Sequence, residues 1–277
     1  MRTVWRVAGV AVHLLLVVAA MVGVLVATAH PAYPPLRVAL VVLVGVLCAV
    51  TLFARFPLGL GPVAESAIAR VVRSVGVALA GAGATGAVLG LAQGGSSFER
   101  ASTGVPLYTV VLAAYLGAFL AVTRRDSGLP PRGALISVGL GLLAAGLFAA
   151  AVPALPPAVR WLAFLLIAAA GAGAARLTRP AESRPTAALL AAITACQAIF
   201  FAAAVLYQYG PDAWMPYAGP GPLTPQAQLE QNRAEAIDPY VGVLFIGLLA
   251  AIVLIGAALS EWRRARTAAA PTALRAV

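Results

Sequence analysis

Residues 186–207 read TAALLAAITACQAIFFAAAVLY, with Pro185 just before them and Pro211 soon after. No Asp, Glu, Lys, Arg or His interrupts the run. At about 1.5 Å per residue a helix of this length covers the roughly 30 Å hydrocarbon core of a bilayer. The run is continuously apolar and does not alternate, so it reads as a spanning helix and not as a barrel strand. Seven further stretches share the pattern: Val7–Ala29, Leu36–Phe53, Val71–Ala92, Val105–Thr123, Gly133–Val152, Ala158–Ala175 and Tyr240–Leu259. Prolines and glycines punctuate the gaps between them. The sequence therefore predicts an all-α polytopic membrane protein with eight transmembrane helices.

Composition agrees. Of 277 residues, 62% are hydrophobic and 10% charged, and the mean hydropathy is +0.95. Soluble domains carry about 25% charged residues, so an ordinary soluble or disordered chain is excluded. All 19 basic residues are Arg. Without lysine there is no Schiff base and no phosphate-loop amine. Cys48 and Cys196 lie singly in apolar runs, which leaves neither a disulfide framework nor a cysteine metal site.

The arginines set the orientation, because positive charge is retained on the cytoplasmic side. With the N-terminus inside, fifteen arginines are cytoplasmic and only Arg37, Arg100, Arg160 and Arg233 are outside. Both termini are thus expected in the cytoplasm of a multi-pass protein of the cell membrane. The net charge of +10 is a topology signal that suits an anionic inner leaflet, not a nucleic-acid footprint. The first apolar run ends in Ala27-Thr28-Ala29, which resembles a signal-peptide cleavage site. It is longer than a usual signal core, so it is read as a retained span.

The two halves carry matching landmarks in one order. Pro31-Ala32-Tyr33-Pro34-Pro35 answers Pro153-Ala154-Leu155-Pro156-Pro157, and Ala64-Glu65-Ser66 answers Ala181-Glu182-Ser183. Gln93-Gly94-Gly95 matches Gln208-Tyr209-Gly210, and Arg100-Ala101 precedes Pro106 as Arg233-Ala234 precedes Pro239. Residues 1–126 and 127–266 are accordingly expected to be two copies of a four-helix unit, a 4+4 parallel duplication about an axis along the membrane normal. The alternative is that topology alone repeats Pro-rich turns and inner arginines. The second copy has an outer insertion over 209–239, in which Thr224 and Pro225 predict the start of a short polar helix lying over the surface to Ile237. Residues 267–277 are expected to be a disordered cytoplasmic tail.

Chemistry is sparse. No Asp, Glu or Arg falls near a predicted midplane, which removes the usual carriers of a proton relay. His13 and His30 are about 25 Å apart along a helix, too far for a shared haem or zinc. Gly81-Ala82-Gly83-Ala84-Thr85-Gly86 fits the dinucleotide fingerprint in letters only; inside a span it predicts close helix packing, as do Gly139/Gly141 and Gly171/Gly173. Ser96 and Ser97 have no nucleophile elbow around them. No catalytic residue, metal ligand or cofactor is read from the sequence.

What remains is a polar set at the outer ends of spans three and seven. Gln93, Gln208, Arg100, Arg233, Tyr207, Trp214 and Asp238 are expected to line an outward cavity for a small polar or amphipathic ligand, with Asp212 and Glu235 nearby. The competing reading has the two amides capping helix ends, and Trp214 and Tyr217 anchoring at the interface. Three functions stay open. The first is a permease-like transport component. The second is a non-catalytic anchor or assembly subunit that docks a protein partner on the 209–239 loop. The third, a lipid- or quinone-handling enzyme using Glu235 and Asp238, ranks last, so the chain leans away from being an enzyme. The lipid bilayer is the expected partner in all three, and nucleic acid in none.

Overall fold

The computed structural model describes residues 15, 18–23, 34–55, 66–92, 98–124, 127–151, 161–214 and 224–273. Of these, 93% are helical and none forms a strand. The helices are α1 (Pro34–Arg55), α2 (Ala67–Ala92), α3 (Phe98–Val122), α4 (Pro131–Ala151), α5 (Leu162–Leu177), α6 (Arg184–Tyr209) and α7 (Pro225–Ala273). Among the described residues, five segments are long and apolar enough to cross a membrane: Ala67–Val88, Gly104–Val122, Pro131–Ala151, Ala181–Tyr209 and Pro225–Ser260. Leu40–Val50 and Leu162–Leu177 are apolar but shorter. This is the architecture of a multi-pass membrane protein. Most of the expected first span, with His13 and His30, lies outside the described residues, as do Gln93, Ser96, Ser97 and Tyr217.

Proline and hydroxyl residues place several helix starts. Pro131 opens α4, where a missing N–H does no harm. The Ala227 N–H donates to Thr224 Oγ1 at 3.4 Å, so Thr224 caps α7 as its position before Pro225 predicts. Ser66 caps α2 by accepting from the Ala69 N–H at 3.1 Å. Its expected counterpart Ser183 does something else, donating from Oγ to the Gly128 carbonyl at 2.6 Å and tying the start of α6 to the turn before α4.

Three expected boundaries are overturned. The 225–237 segment is not a separate helix lying on the surface; it is the first part of α7, which runs unbroken through Pro239 for 49 residues. An interior proline removes a backbone hydrogen bond and ordinarily costs about 3 kcal/mol. Here the flanking turns are held by packing, since Ala236 and Tyr240 are buried on either side of Pro239. The Tyr240 ring also packs edge-on to Phe148 with centroids 5.2 Å apart. Likewise α3 begins at Phe98 and accommodates Pro106 inside the helix. At its other end α7 runs through Ala273, into the segment expected as a disordered tail.

The bundle is organised around α6, which packs on α4, α5 and α7 and touches α2 and α3. Small residues allow this. A Cβ on Gly141 would lie 2.6 Å from Thr194 Cβ and under 3 Å from the Ala191 carbonyl oxygen and the Ala195 nitrogen, so α4 meets the α6 backbone directly. The glycine-rich run in α2 is wholly helical, as predicted, and Gly83 is its tightest point. Its neighbour Gly81 faces open space.

One helix of each half departs from the expected equivalence. α1 packs chiefly on α3, whereas α5 packs on α6 and α4. In a faithful repeat α5 would sit on α7.

Where α3, α6 and α7 meet, Tyr115 is fully buried and its hydroxyl donates to the Leu244 carbonyl at 3.0 Å, close over Gly247. Tyr115→Phe keeps the ring and removes this bond. It is expected to lower stability by about 1 kcal/mol, read as a drop of a few degrees in the melting temperature of the detergent-solubilised protein.

Candidate functional site

α2 and α6 contribute residues near their C-terminal ends, and α3 and α7 residues mainly from their N-terminal halves, to one region of the bundle. There α2, α3, α6 and α7 line a cavity of about 320 Å³. Gly83 and Gly86 form its α2 wall, Tyr108 and Val111 its α3 wall, and Leu244 and Phe245 its α7 wall. From α6 come Phe200, Phe201, Ala204 and Gln208. These four recur at the helical period, so one face of α6 is the floor and back of the cavity. Tyr108 leans on Phe200 with ring centroids 5.9 Å apart. Gly83 makes room for it, since a Cβ there would lie 2.7 Å from the Tyr108 hydroxyl.

The lining is apolar apart from the hydroxyls of Tyr108 and Tyr209 and the amide of Gln208. Apolar pockets with a few placed polar groups suit ligands with one hydrogen-bonding end, and this volume sits at the lower bound of ordinary ligand sites. The wall residues Leu107, Val205, Tyr209, Val241 and Phe245 are between 37% and 54% exposed. The cavity therefore opens through the side of the bundle, where an apolar molecule in a bilayer would meet it.

The expected polar set divides into two groups. Gln208 is exposed on the cavity wall. Tyr207, one residue earlier, is buried on another face, where its ring stacks at 6.0 Å from Tyr240. Arg233 belongs with Tyr207: its guanidinium donates to the Tyr207 carbonyl, to the Gly210 carbonyl at 3.0 Å and to the Asp212 carboxylate. Trp214 is part-exposed and folds back against Gly210, while Asp238 is exposed. Arg233, Asp212 and Tyr207 thus fasten the α6–α7 connection beside the cavity. The side chains of Arg100 and Glu235 lie outside the described residues, as does the whole of Gln93, so the expected pairing of Gln93 with Gln208 does too.

Arg233→Ala should loosen this fastening by about 1–2 kcal/mol, because two carbonyls lose a charged donor. Asp212 is 69% exposed and its ion pair is screened, so Asp212→Ala should change stability by less than about 0.5 kcal/mol. Lysine lacks the planar fork that reaches both carbonyls, so Arg233→Lys should behave like the alanine variant. Melting temperature and amide exchange over 225–239 are the readouts.

Tyr108 and Gln197 stand out in the structure but not in the sequence reading. Gln197 lies in α6, 3% exposed, and among the described residues neither its amide nitrogen nor its amide oxygen has a hydrogen-bond partner. The signal was present as the only amide inside the 186–207 run. No known protein family matches the chain, and neither curated proteins nor solved structures give a match.

Proposed function

We propose that the chain is a permease-like component of the cell membrane that passes an amphipathic molecule between the bilayer and one membrane face. The observation that carries this reading is the laterally open, aromatic-lined cavity beside α6, which offers two tyrosine hydroxyls and the Gln208 amide and no ionised wall residue among those described. An amphipath fits that lining better than a small polar solute, which would lose its hydration without replacement bonds. Eight spans with both ends in the cytoplasm complete the proposal, supported by the eight apolar runs and by the arginine asymmetry. A doubled four-helix ancestry is supported by the ordered landmarks and by the packing of α3 on α7, the last helix of each proposed copy, although α1 and α5 differ in their neighbours.

The test is reconstitution into vesicles with an alkyl chain carrying an NBD fluorophore and an external dithionite quench. Passage of the probe to the quenched face should run at least tenfold faster than in protein-free vesicles. Equal rates would remove the permease reading.

A second reading, an assembly subunit, is favoured by the length of α7. Its 49 residues extend about 73 Å at 1.5 Å each, against a core of roughly 30 Å. Segments at both ends therefore project beyond the apolar part and would present docking surfaces. A stoichiometric chain co-purifying in mild detergent, lost on deletion of 225–232, would support it.

A further inference from the structure

Three buried serine and threonine hydroxyls of the spans are satisfied within their own helices. Thr109 donates to the Val105 carbonyl, Ser137 to Gly133 and Thr194 to Leu190, each at 2.8 Å. Thr178 Oγ1 is also buried without a hydrogen-bond partner but lies beyond the spans; among the described residues of the five spans, Gln197 is the side chain left so. It lies within two residues of the centre of the Ala181–Tyr209 span, and its whole amide is sealed from solvent and unpartnered. Such a group is costly in an apolar interior, where a leucine would pack without penalty. Polar side chains at this depth are generally kept for a ligand or a pathway.

Its position says which ligand. Gln197 precedes Phe200, Phe201, Ala204 and Gln208 by three, four, seven and eleven residues, so it continues the α6 stripe that lines the cavity, about one turn deeper. Phe200 and Phe201, the next residues of that stripe, line the cavity, whereas Gln197 does not. Resting on the cavity reading above, we propose that Gln197 is the inner recognition group for an uncharged head that both donates and accepts hydrogen bonds, an alcohol or a carboxamide, admitted past the Phe200–Phe201 rings. The amide supplies two N–H donors and a carbonyl acceptor, which such a head satisfies together. An ionised head would arrive without a countercharge at that depth.

The test uses the full chain in nanodiscs and a diazirine-bearing alkane that labels the cavity by its chain alone. Dodecan-1-ol and dodecyl methyl ether then compete with it, compared at equal membrane concentration. The ether accepts but cannot donate. In the wild type the alcohol should compete about tenfold better, the equivalent of about 1.4 kcal/mol. In Gln197→Leu the ratio should fall to near one while alkane labelling of residues 200–205 and 241–245 persists and the melting temperature rises. Gln197→Met serves the same purpose should the leucine variant not fold. An undiminished alcohol preference in either variant overturns the role of Gln197. Absence of alkane labelling in the wild type overturns the cavity reading itself.

Discussion

Gly141→Leu is expected to prevent the bundle from assembling, whereas Gly139→Leu, two residues away on the same helix, leaves it intact. A side chain at 141 would be driven into the α6 backbone at Ala191 and Ala195 as well as into Thr194. Backbone cannot rotate aside, so α4 would have to move away from the central helix along their shared face. Overpacking usually costs 1–3 kcal/mol; here about 3 kcal/mol or more is expected, a large part of a typical total stability. Gly139 has nothing within 4 Å of its Cβ position, so leucine there only adds apolar surface. Thermal unfolding and size-exclusion in detergent should show an early-melting, aggregating Gly141 variant and a Gly139 variant close to wild type. Equal behaviour would mean that α4 and α6 are not in backbone contact.

Ala204→Trp should abolish movement of the amphipathic probe without harming the fold. Ala204 lies on the α6 wall between the Phe200–Phe201 floor and the Gln208 rim. An indole projecting there would occupy much of the 320 Å³ space, and it would enter room that already exists instead of displacing packed atoms. Translocation should fall to the rate of protein-free vesicles while the melting temperature holds or rises. Leu142→Trp is the control, because Leu142 is 38% exposed on α4 and faces away from the cavity. It should leave transport within about twofold of wild type. Undiminished transport in the Ala204 variant would separate the cavity from the function.

Much of the helical layout was legible because bilayer thickness and apolar run length impose it. The cores of α2, α3, α4 and α6 fall where uninterrupted apolar residues begin and end. Helix ends were harder to read. Asp238-Pro239 looks like a start signal, yet local proline geometry was outweighed by the burial of Ala236 and Tyr240 and by the Arg233 fastening, none of which a local pattern displays. The polar set at the end of α6 was found as a cluster but not as roles. Whether Tyr207 or Gln208 faces the cavity depends on a rotation of about 100° between consecutive helical residues, fixed only by neighbouring helices. The cavity itself is written in Gly, Ala, Val and Phe, the same alphabet as the packed core. Gln197 was readable as an isolated amide, but its lack of a partner is a property of packing alone.

The claim on which the rest stands is that the space beside α6 communicates with lipid and not with water. Ala204→Cys in a Cys48→Ala, Cys196→Ala background, labelled with a nitroxide in nanodiscs, measures this through collision with oxygen, which concentrates in lipid, and with a neutral nickel chelate, which stays in water. High oxygen and low nickel accessibility at position 204 is the expected result. High nickel accessibility would describe an aqueous channel, low values for both a solid bundle, and either would contradict the account.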